Sequence, residues 1–437
     1  MNNLSEKKNL SKLFDNLFPI NRSILGEGYR LSLKILKSYI NFKELKYPTG
    51  KKIFDWKVPK EWVIKDAYIK FKNIKIIDFK KNNLSVLNYS APINKKLEVN
   101  KLKKYLHSDK KNPKAIPYVT SYYKKRWGFC LPDNQKKNLK KGQYHCYINS
   151  YFKNGVLVNG HTELKGRSKK INLITSYLCH PSLANNELSG PLVLLGLYKK
   201  IQKWKKRNFT YQFLINPETI GSLCFLHSHY EKIKKDFNSG LVLTCLGGPK
   251  KKLSYKLSKN GNSSLDKLFI RLNKKNKVLI REFDAGSGSD ERQFNSPGFN
   301  LPVGNVCRSV YGEYREYHSS LDTKKFMNIS KVQNSIEELE EILKLHDKFL
   351  PLKRHMPHGE LMLSKRSLYP TLGTLDEKKY NSGLLRDKES LYILMNLLSY
   401  SDGVRNLIDI VEQKKLNLKK SSEILDLCIK LRLLKFS

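Results

Sequence analysis

INLITSYLCHPSLANNELSGPLVLL, residues 171–195, decides how the chain is read. Its first eight residues mix β-branched, aliphatic and aromatic side chains with no charge, the texture of a buried strand. Pro181 and the pair Asn185-Asn186 then break the run into a polar turn. Ser189-Gly190-Pro191 supplies a cap, a small residue and a proline suited to a first helical turn, so a helix is predicted from about 191. His180 therefore stands where a strand ends and a helix is about to begin. Open α/β sheets place their ligands in such loops at the carboxyl ends of strands. Asn185, Asn186 and Glu187 follow within a turn, a polar density beyond what packing needs.

Working outward, the same alternation continues. Helix 191–205, strand 211–215, helix 222–235, strand 240–245, helix 264–275 and strand 279–283 predict a mostly parallel sheet covered on both faces. A long loop follows at 284–305, then strand 306–310, the stretch YGEYREYHSSLDT, and a helix at 330–345. Loops of that length in a compact domain are usually functional or disordered, and the aromatic, Gly and charged content favours function. Upstream, 10–18 and 29–39 have helical spacing. Between about 46 and 161 short strand-like pieces separated by turns mark a β-rich module. Beyond about 363 three short helices, 389–399, 405–413 and 421–433, suggest a helix-turn-helix unit.

Composition bounds the function. At 437 residues, with 40% hydrophobic and 11% aromatic residues, the chain is globular and long enough for two or three domains. Its 83 basic against 39 acidic residues give a formal +44. The lysines fall in small clusters in every region, which predicts a solvated basic surface and no sequence-specific nucleic-acid partner. Seven cysteines without CxxC spacing argue against a disulfide framework. Cys179, beside His180, is expected to face the other side of the strand end because adjacent strand residues alternate. Neither a signal-peptide core nor an apolar run of membrane-spanning length is present, so a cytoplasmic protein is expected.

Three stretches carry one kind of chemistry. His180 follows one strand, Glu218 follows another, and His318 lies in YHSSLDT. Two histidines and a glutamate at different strand ends form a frequent ligand set for catalytic zinc, although no local HExxH spacing ties them together. Glu187 and Asp290 lead the candidates for a general base, with Glu291, Glu313 and Glu316 behind them. Arg292 and Arg315 could grip a substrate carboxylate. Tyr311, Tyr314 and Tyr317 would line the pocket, where a phenol can donate to an oxyanion.

At these residues the sequence resembles the zinc-dependent exopeptidases of the bacterial aminopeptidase type. More closely, FPINRSILGEG, KKIFDWKVPKEWVIKDAYI, TSYYKKRWGFCL, CHPSLANNELSGP, PETIGS, GSGSDERQF, SPGFNLPVG and EYREYHSSLD resemble the aminopeptidase-like proteins often labelled as polysaccharide-biosynthesis proteins. The resemblance implies an exopeptidase-like α/β domain from 1–45 and 162–362, an inserted β-rich domain at 46–161 and a winged-helix-like domain at 363–437. It puts His180, Glu218 and His318 on metal-ligand positions. The aspartate that bridges two metals in the peptidases falls on Asn186, their general-base glutamate on Pro217, and a further acidic ligand in the Leu246-Gly247-Gly248 turn. A neutral amide is a poor bridge between dications, so one zinc ion is expected. The implied activity is hydrolysis of an amide bond in a small peptide-like or amidated sugar substrate, with an oligomer compatible. The alternative is a lapsed member that binds a ligand or a partner enzyme.

Overall fold

The computed structural model describes residues 3–366, 368 and 387–437. Residues 367 and 369–386 of the expected C-terminal domain lie outside the described residues. An eight-stranded sheet forms the centre, in the order Lys43–Pro48, Val156–Leu164, Thr210–Asn216, Ile171–Tyr177, Phe237–Leu243, Val303–Cys307, Ser254–Lys256, Leu279–Arg281. The four strands from Thr210–Asn216 to Val303–Cys307 run parallel to one another. Every residue of Ile171–Tyr177 and Thr210–Asn216 is buried, which is why both read as unbroken apolar runs rather than as alternation.

Helices cover both faces. Ile174, Phe213, Ile215, Leu241 and Leu243 pack against Ser189–Gln202, Ile329–His346 and the first helix, Asn3–Leu17. Leu173, Leu214 and Val242 face the other way, onto Phe225, Leu226 and Ile233 of the helix Ile220–Ile233. From Ile171–Tyr177 the chain crosses to one neighbour, Thr210–Asn216, and then returns to the opposite neighbour, Phe237–Leu243. That reversal opens a crevice at the carboxyl ends of these strands, the topological switch point.

The strand expected at 306–310 lies instead at Val303–Cys307. Gly304 and Asn305 look like loop residues, yet both are demanded by packing. A Cβ on Gly304 would lie 2.3 Å from the Tyr255 ring, and Asn305 is buried between Arg281 and Glu291.

The β-rich module is a four-stranded antiparallel sheet ordered Ile74–Asp78, Glu61–Phe71, Gln143–Lys153, Ile93–Glu98. The strands flanking it pair with each other at the edge of the main sheet, Tyr47 opposite Leu157 and Pro48 opposite Val156. The main sheet thus reaches inward to 48 and resumes at 156, inside the ends expected at 46 and 161. Ile24, Leu25, Ile220 and Leu223 share one hydrophobic cluster with the module's Trp62, Ile69 and Ile148, so the two parts are packed together.

At the C-terminus, helices Lys388–Tyr400, Leu407–Gln413 and Leu418–Lys430 enclose their own apolar cluster. The strand Leu434–Phe436 pairs antiparallel with Leu352–Arg354, so this winged helix takes in residues before 363. It is pinned to the α/β domain by Lys267–Asp409 at 2.7 Å and Lys348–Asp426 at 2.6 Å. All seven cysteines are free and buried. Among the described residues no helix is long and apolar enough to cross a membrane.

Candidate metal centre

His180 leaves the end of Ile171–Tyr177 into a turn whose backbone is held from both sides. Arg22, fully buried, donates from Nε to the His180 carbonyl at 3.1 Å and from Nη1 to the Leu17 carbonyl at 2.6 Å. Glu187 lies in a short π-helical turn, Ala184–Leu188, and accepts through Oε1 from the His180 N–H at 2.9 Å and from the Cys179 N–H. Its Oε2 takes a 2.5 Å bond from His180 Nδ1. A carboxylate on Nδ1 holds a proton there, so when the ring gives up its second proton, as a metal ligand must, Nε2 is the atom that carries the lone pair outward. That free nitrogen lies 3.6 Å from Glu218 Oε2.

Glu218 follows the strand Thr210–Asn216 and precedes a strained residue. Thr219 has φ 63° and ψ −71°, and the Ile220 N–H reaches back to the Glu218 carbonyl at 2.8 Å, closing a γ-turn. Asp290 holds this strain in place, accepting from the Thr219 N–H at 2.6 Å, from Asn216 Nδ2 at 2.8 Å and from Ser222 Oγ at 3.1 Å. Ser289 donates to Glu218 Oε1 at 2.6 Å. Burial pushes the Glu218 carboxyl upward, and burial together with the charge of Glu218 takes Asp290 to about 7. The GSGSDE loop is anchored beneath by a buried ion pair, Lys256 to Glu291 at 2.8 Å.

His318 stands opposite, also at positive φ, 50°. Its ring centroid lies 5.4 Å from that of His180 and stacks on Tyr317 at 3.9 Å. Burial and the His180 charge lower its pKa to about 3, so it is a neutral donor. For His180 burial favours the neutral ring, but Tyr118, Cys179 and Glu187 outweigh it and raise the pKa. Asp322, in the same YHSSLDT stretch, accepts from the Asn185 and Asn186 N–H groups at 2.7 and 2.9 Å and so shapes the turn that carries Glu187.

Two of the expected ligands, His180 and Glu218, are spaced as neighbours on one metal ion would be. Two ligands of a tetrahedral zinc at about 2.05 Å lie about 3.4 Å apart, close to the 3.6 Å between His180 Nε2 and Glu218 Oε2. The tightest group of ligand-type side chains among the described residues is Cys179, His180 and Glu187, whose atoms lie within 4.8 Å of one another. Its 2.5 Å contact is too short for co-ligation and is a hydrogen bond. No group of three containing His318 is that close among the described residues. Asn186 Oδ1 is buried without a partner, while its Nδ2 donates to Tyr177 at 3.0 Å. Tyr177 in turn bonds Thr244 at 2.6 Å, so hydrogen bonds occupy the ground beside Asn186.

The other expected residues divide. Glu187 and Asp290, read from sequence as bases, spend their oxygens on backbone and side-chain donors and are fully buried. Arg315 is exposed and bonds Asn112 of the module at 3.2 Å, and Arg292 reaches only carbonyls of its own loop. Tyr317 does lie beside His318.

Cys179 does not face away from His180. Both line one cavity of about 200 Å³ with Glu218, Trp56, Tyr122 and Tyr123. The strand has ended at Tyr177, so alternation no longer governs residues 178–180. Sequence reasoning also missed Tyr118, whose ring sits 4.8 Å from His180 and 5.4 Å from His318 and whose hydroxyl meets that of Tyr122 at 2.6 Å. The position of Tyr118, four residues beyond Lys114 in a Lys-rich stretch, gave no signal.

Comparison with known proteins agrees with this architecture. Residues 11–348 match a family described as a domain of unknown function, DUF4910, and residues 351–435 match a winged helix-turn-helix. A protein of Clostridium acetobutylicum, named as a candidate polysaccharide biosynthesis protein with an aminopeptidase-like domain, is 36% identical over 97% of this chain and 95% of its own length. The crystal structure of a candidate peptidase from Clostridium acetobutylicum superposes with TM-score 0.85 at 34% identity, covering 100% of this chain and 98% of that one. A zinc aminopeptidase from Bacillus subtilis shares the fold at TM-score 0.55 and 12% identity, over 77% of this chain and 93% of its own. With the fold, the inserted module and the winged helix all in place, the chain belongs to the DUF4910 family of aminopeptidase-like proteins.

Proposed function

We propose that this chain hydrolyses an amide bond at a single zinc ion held by His180, Glu218 and His318. The observation that carries the reading is the free face of His180, whose Nδ1 is taken by Glu187 while Nε2 points to Glu218 at 3.6 Å. A bound zinc would polarise the amide carbonyl and acidify water there. The chain's own residues do the rest. Glu187 sets the His180 tautomer, Ser289 and Asp290 fix the Glu218 turn, and Asn186 supplies a neutral oxygen where a bridging carboxylate would favour a second ion. The name of the Clostridium acetobutylicum relative supports a place in polysaccharide biosynthesis, and the substrate on this reading is a small peptide-like or amidated sugar molecule.

Metal titration of the metal-free chain tests this. One tight zinc per chain is expected, with binding abolished in both His180→Ala and His318→Ala. Two equivalent sites, or zinc retained in His318→Ala, would overturn it. A second reading, a ligand-binding member without turnover, is favoured by the engagement of Glu187 and Asp290 in structural hydrogen bonds. Zinc binding without hydrolysis of any amide would select it.

A further inference from the structure

The walls of the cavity beside His180 say what kind of group fits against the metal. Apart from Glu218 they are aromatic or aliphatic (Trp56, Tyr122, Tyr123, Ile24, Ile220), completed by Thr219, Cys179 and His180, none of them an anion. Glu218 is the single carboxylate among the described residues lining it. Its oxygens are accounted for, one by Ser289 at 2.6 Å and the other facing His180 Nε2. Glu187 and Asp290 are sealed behind the walls, and Asp55 sits in the exposed turn between Lys52–Ile53 and Trp56–Lys57, outside the lining.

An ammonium group entering here would find no anion of its own, inside a chain carrying a formal +44. A box of ring faces around one point can hold a cation. Here Trp56 meets Tyr123 edge-on, at 5.4 Å and 76°, and the Tyr122 hydroxyl is tied to Tyr118. Neutral, partly apolar matter fits the same walls without stranding a charge. The cavity of about 200 Å³ holds the equivalent of about six or seven waters. Its aromatic surface continues outward through Trp56 and Tyr123, which are 38% and 52% exposed, and Phe54 stands nearby at 45%.

We infer that the cavity receives the neutral acyl half of an N-acylated substrate, so that the chain cleaves a secondary amide whose acyl group carries no free amine, rather than the amino terminus of a peptide. This rests on the metal-centre reading above. Water adds its oxygen to the carbonyl carbon, the C–N bond breaks, and the nitrogen leaves as an amine with the proton that water gave up. No oxidant or other co-reactant is needed.

Leucine hydroxamate and N-acetyl-leucine hydroxamate are zinc-binding probes that share the side chain and the hydroxamate and differ at the α-nitrogen, an ammonium in one and a neutral acetamide in the other. A third probe, 4-methylpentanohydroxamic acid, lacks the nitrogen and separates loss of charge from the contacts of the added acetyl. Calorimetric titration into the zinc-loaded full chain should show the N-acetyl form binding at least about tenfold tighter. Equal affinity, or tighter binding of leucine hydroxamate, would overturn the inference, as would zinc-loaded protein that binds none of the probes. Failure to load zinc at all would overturn the metal reading first, and is seen separately. In Tyr123→Glu, a change at a half-exposed side chain, the preference should shrink at least about threefold because the rim then offers an anion. A preference unchanged in that variant would also refute the argument.

Discussion

Replacing Glu187 by Gln separates a residue that orients a ligand from one that is itself a ligand or a base. The carboxylate accepts three bonds, from the N–H groups of Cys179 and His180 and from His180 Nδ1. A glutamine of the same shape keeps its carbonyl oxygen for the two backbone donors, so the metal-free protein should lose little stability. Its NH2 group then faces Nδ1 and can only donate. The imidazole proton is forced onto Nε2, the atom 3.6 Å from Glu218, and the lone pair that would hold zinc is lost. Disruption of such a supporting carboxylate costs about 10–100-fold in metal affinity, or roughly 1.4–2.8 kcal/mol. Competition with a chelator of known affinity measures it. Glu187→Ala should behave differently, stranding two buried N–H groups at about 1–3 kcal/mol each and lowering the melting temperature as well. Wild-type zinc affinity in Glu187→Gln would refute the orienting role, and complete loss equal to that in His180→Ala would make Glu187 a ligand.

Further consequences are open to measurement. His346, buried against Phe209 and Ser264, has its pKa lowered by burial from 6.5 to about 3. The unfolded chain therefore binds the extra proton below pH 6.5, and the stability of His346→Asn relative to the parent should rise by about 2.5 kcal/mol between pH 6 and pH 4 in urea titrations; a pH-independent difference would contradict the assignment. Gly288→Ala places a Cβ 2.1 Å from Glu291 and 2.6 Å from Lys256 at φ +152°, and should destabilise by roughly 2–4 kcal/mol, read as a lower melting temperature. Asn186→Asp should increase the tendency to take up a second zinc, and a calorimetric stoichiometry still at one would count against the reading of that position. Gel-shift titrations with DNA should show weak, sequence-independent binding that salt removes, because Lys420 of the third C-terminal helix is paired with Asp387 and Glu389 and Asp426 with Lys348; a specific complex at physiological salt would show otherwise.

The sheet was legible in the sequence because fully buried strands leave uninterrupted apolar runs, and His180 and Glu218 stood out as candidates because each lies just past such a run, whereas His318 sits in the polar stretch YGEYREYHSSLDT, well beyond the strand Val303–Cys307. What the sequence could not show was pairing. Nothing local distinguishes an Asp290 that takes a proton from one that restrains Thr219, since both roles call for a carboxylate in a Gly-Ser loop. Tyr118 belongs to a module folded on its own sheet, just outside the stretch TSYYKKRWGFC that was expected to wall the cleft, and its approach to His180 depends on how two sheets are packed. Cys179 was misread for a geometric reason: strand alternation was carried two residues past the strand's end. Arg22, in a linker rich in turn residues, showed no sign that its guanidinium would be buried under the His180 carbonyl.

The pairing of Lys43–Pro48 with Val156–Leu164 makes the whole module the tip of one enlarged hairpin at the rim of the sheet. Two neighbouring peptide groups, Thr49 and Gly155, joined by a 2.9 Å hydrogen bond, are the doorway through which the chain leaves and returns. His180, Glu218 and His318, the proposed zinc ligands, belong to the α/β domain on one side of that doorway, while Trp56, Tyr122 and Tyr123 belong to the module on the other. On the proposed reading, chemistry and much of the selectivity are thereby inherited on separate stretches of chain. A graft made at this doorway, with the facing residues Ile24 and Ile220 matched to the incoming part, would exchange what the protein accepts while leaving what it does to it unaltered.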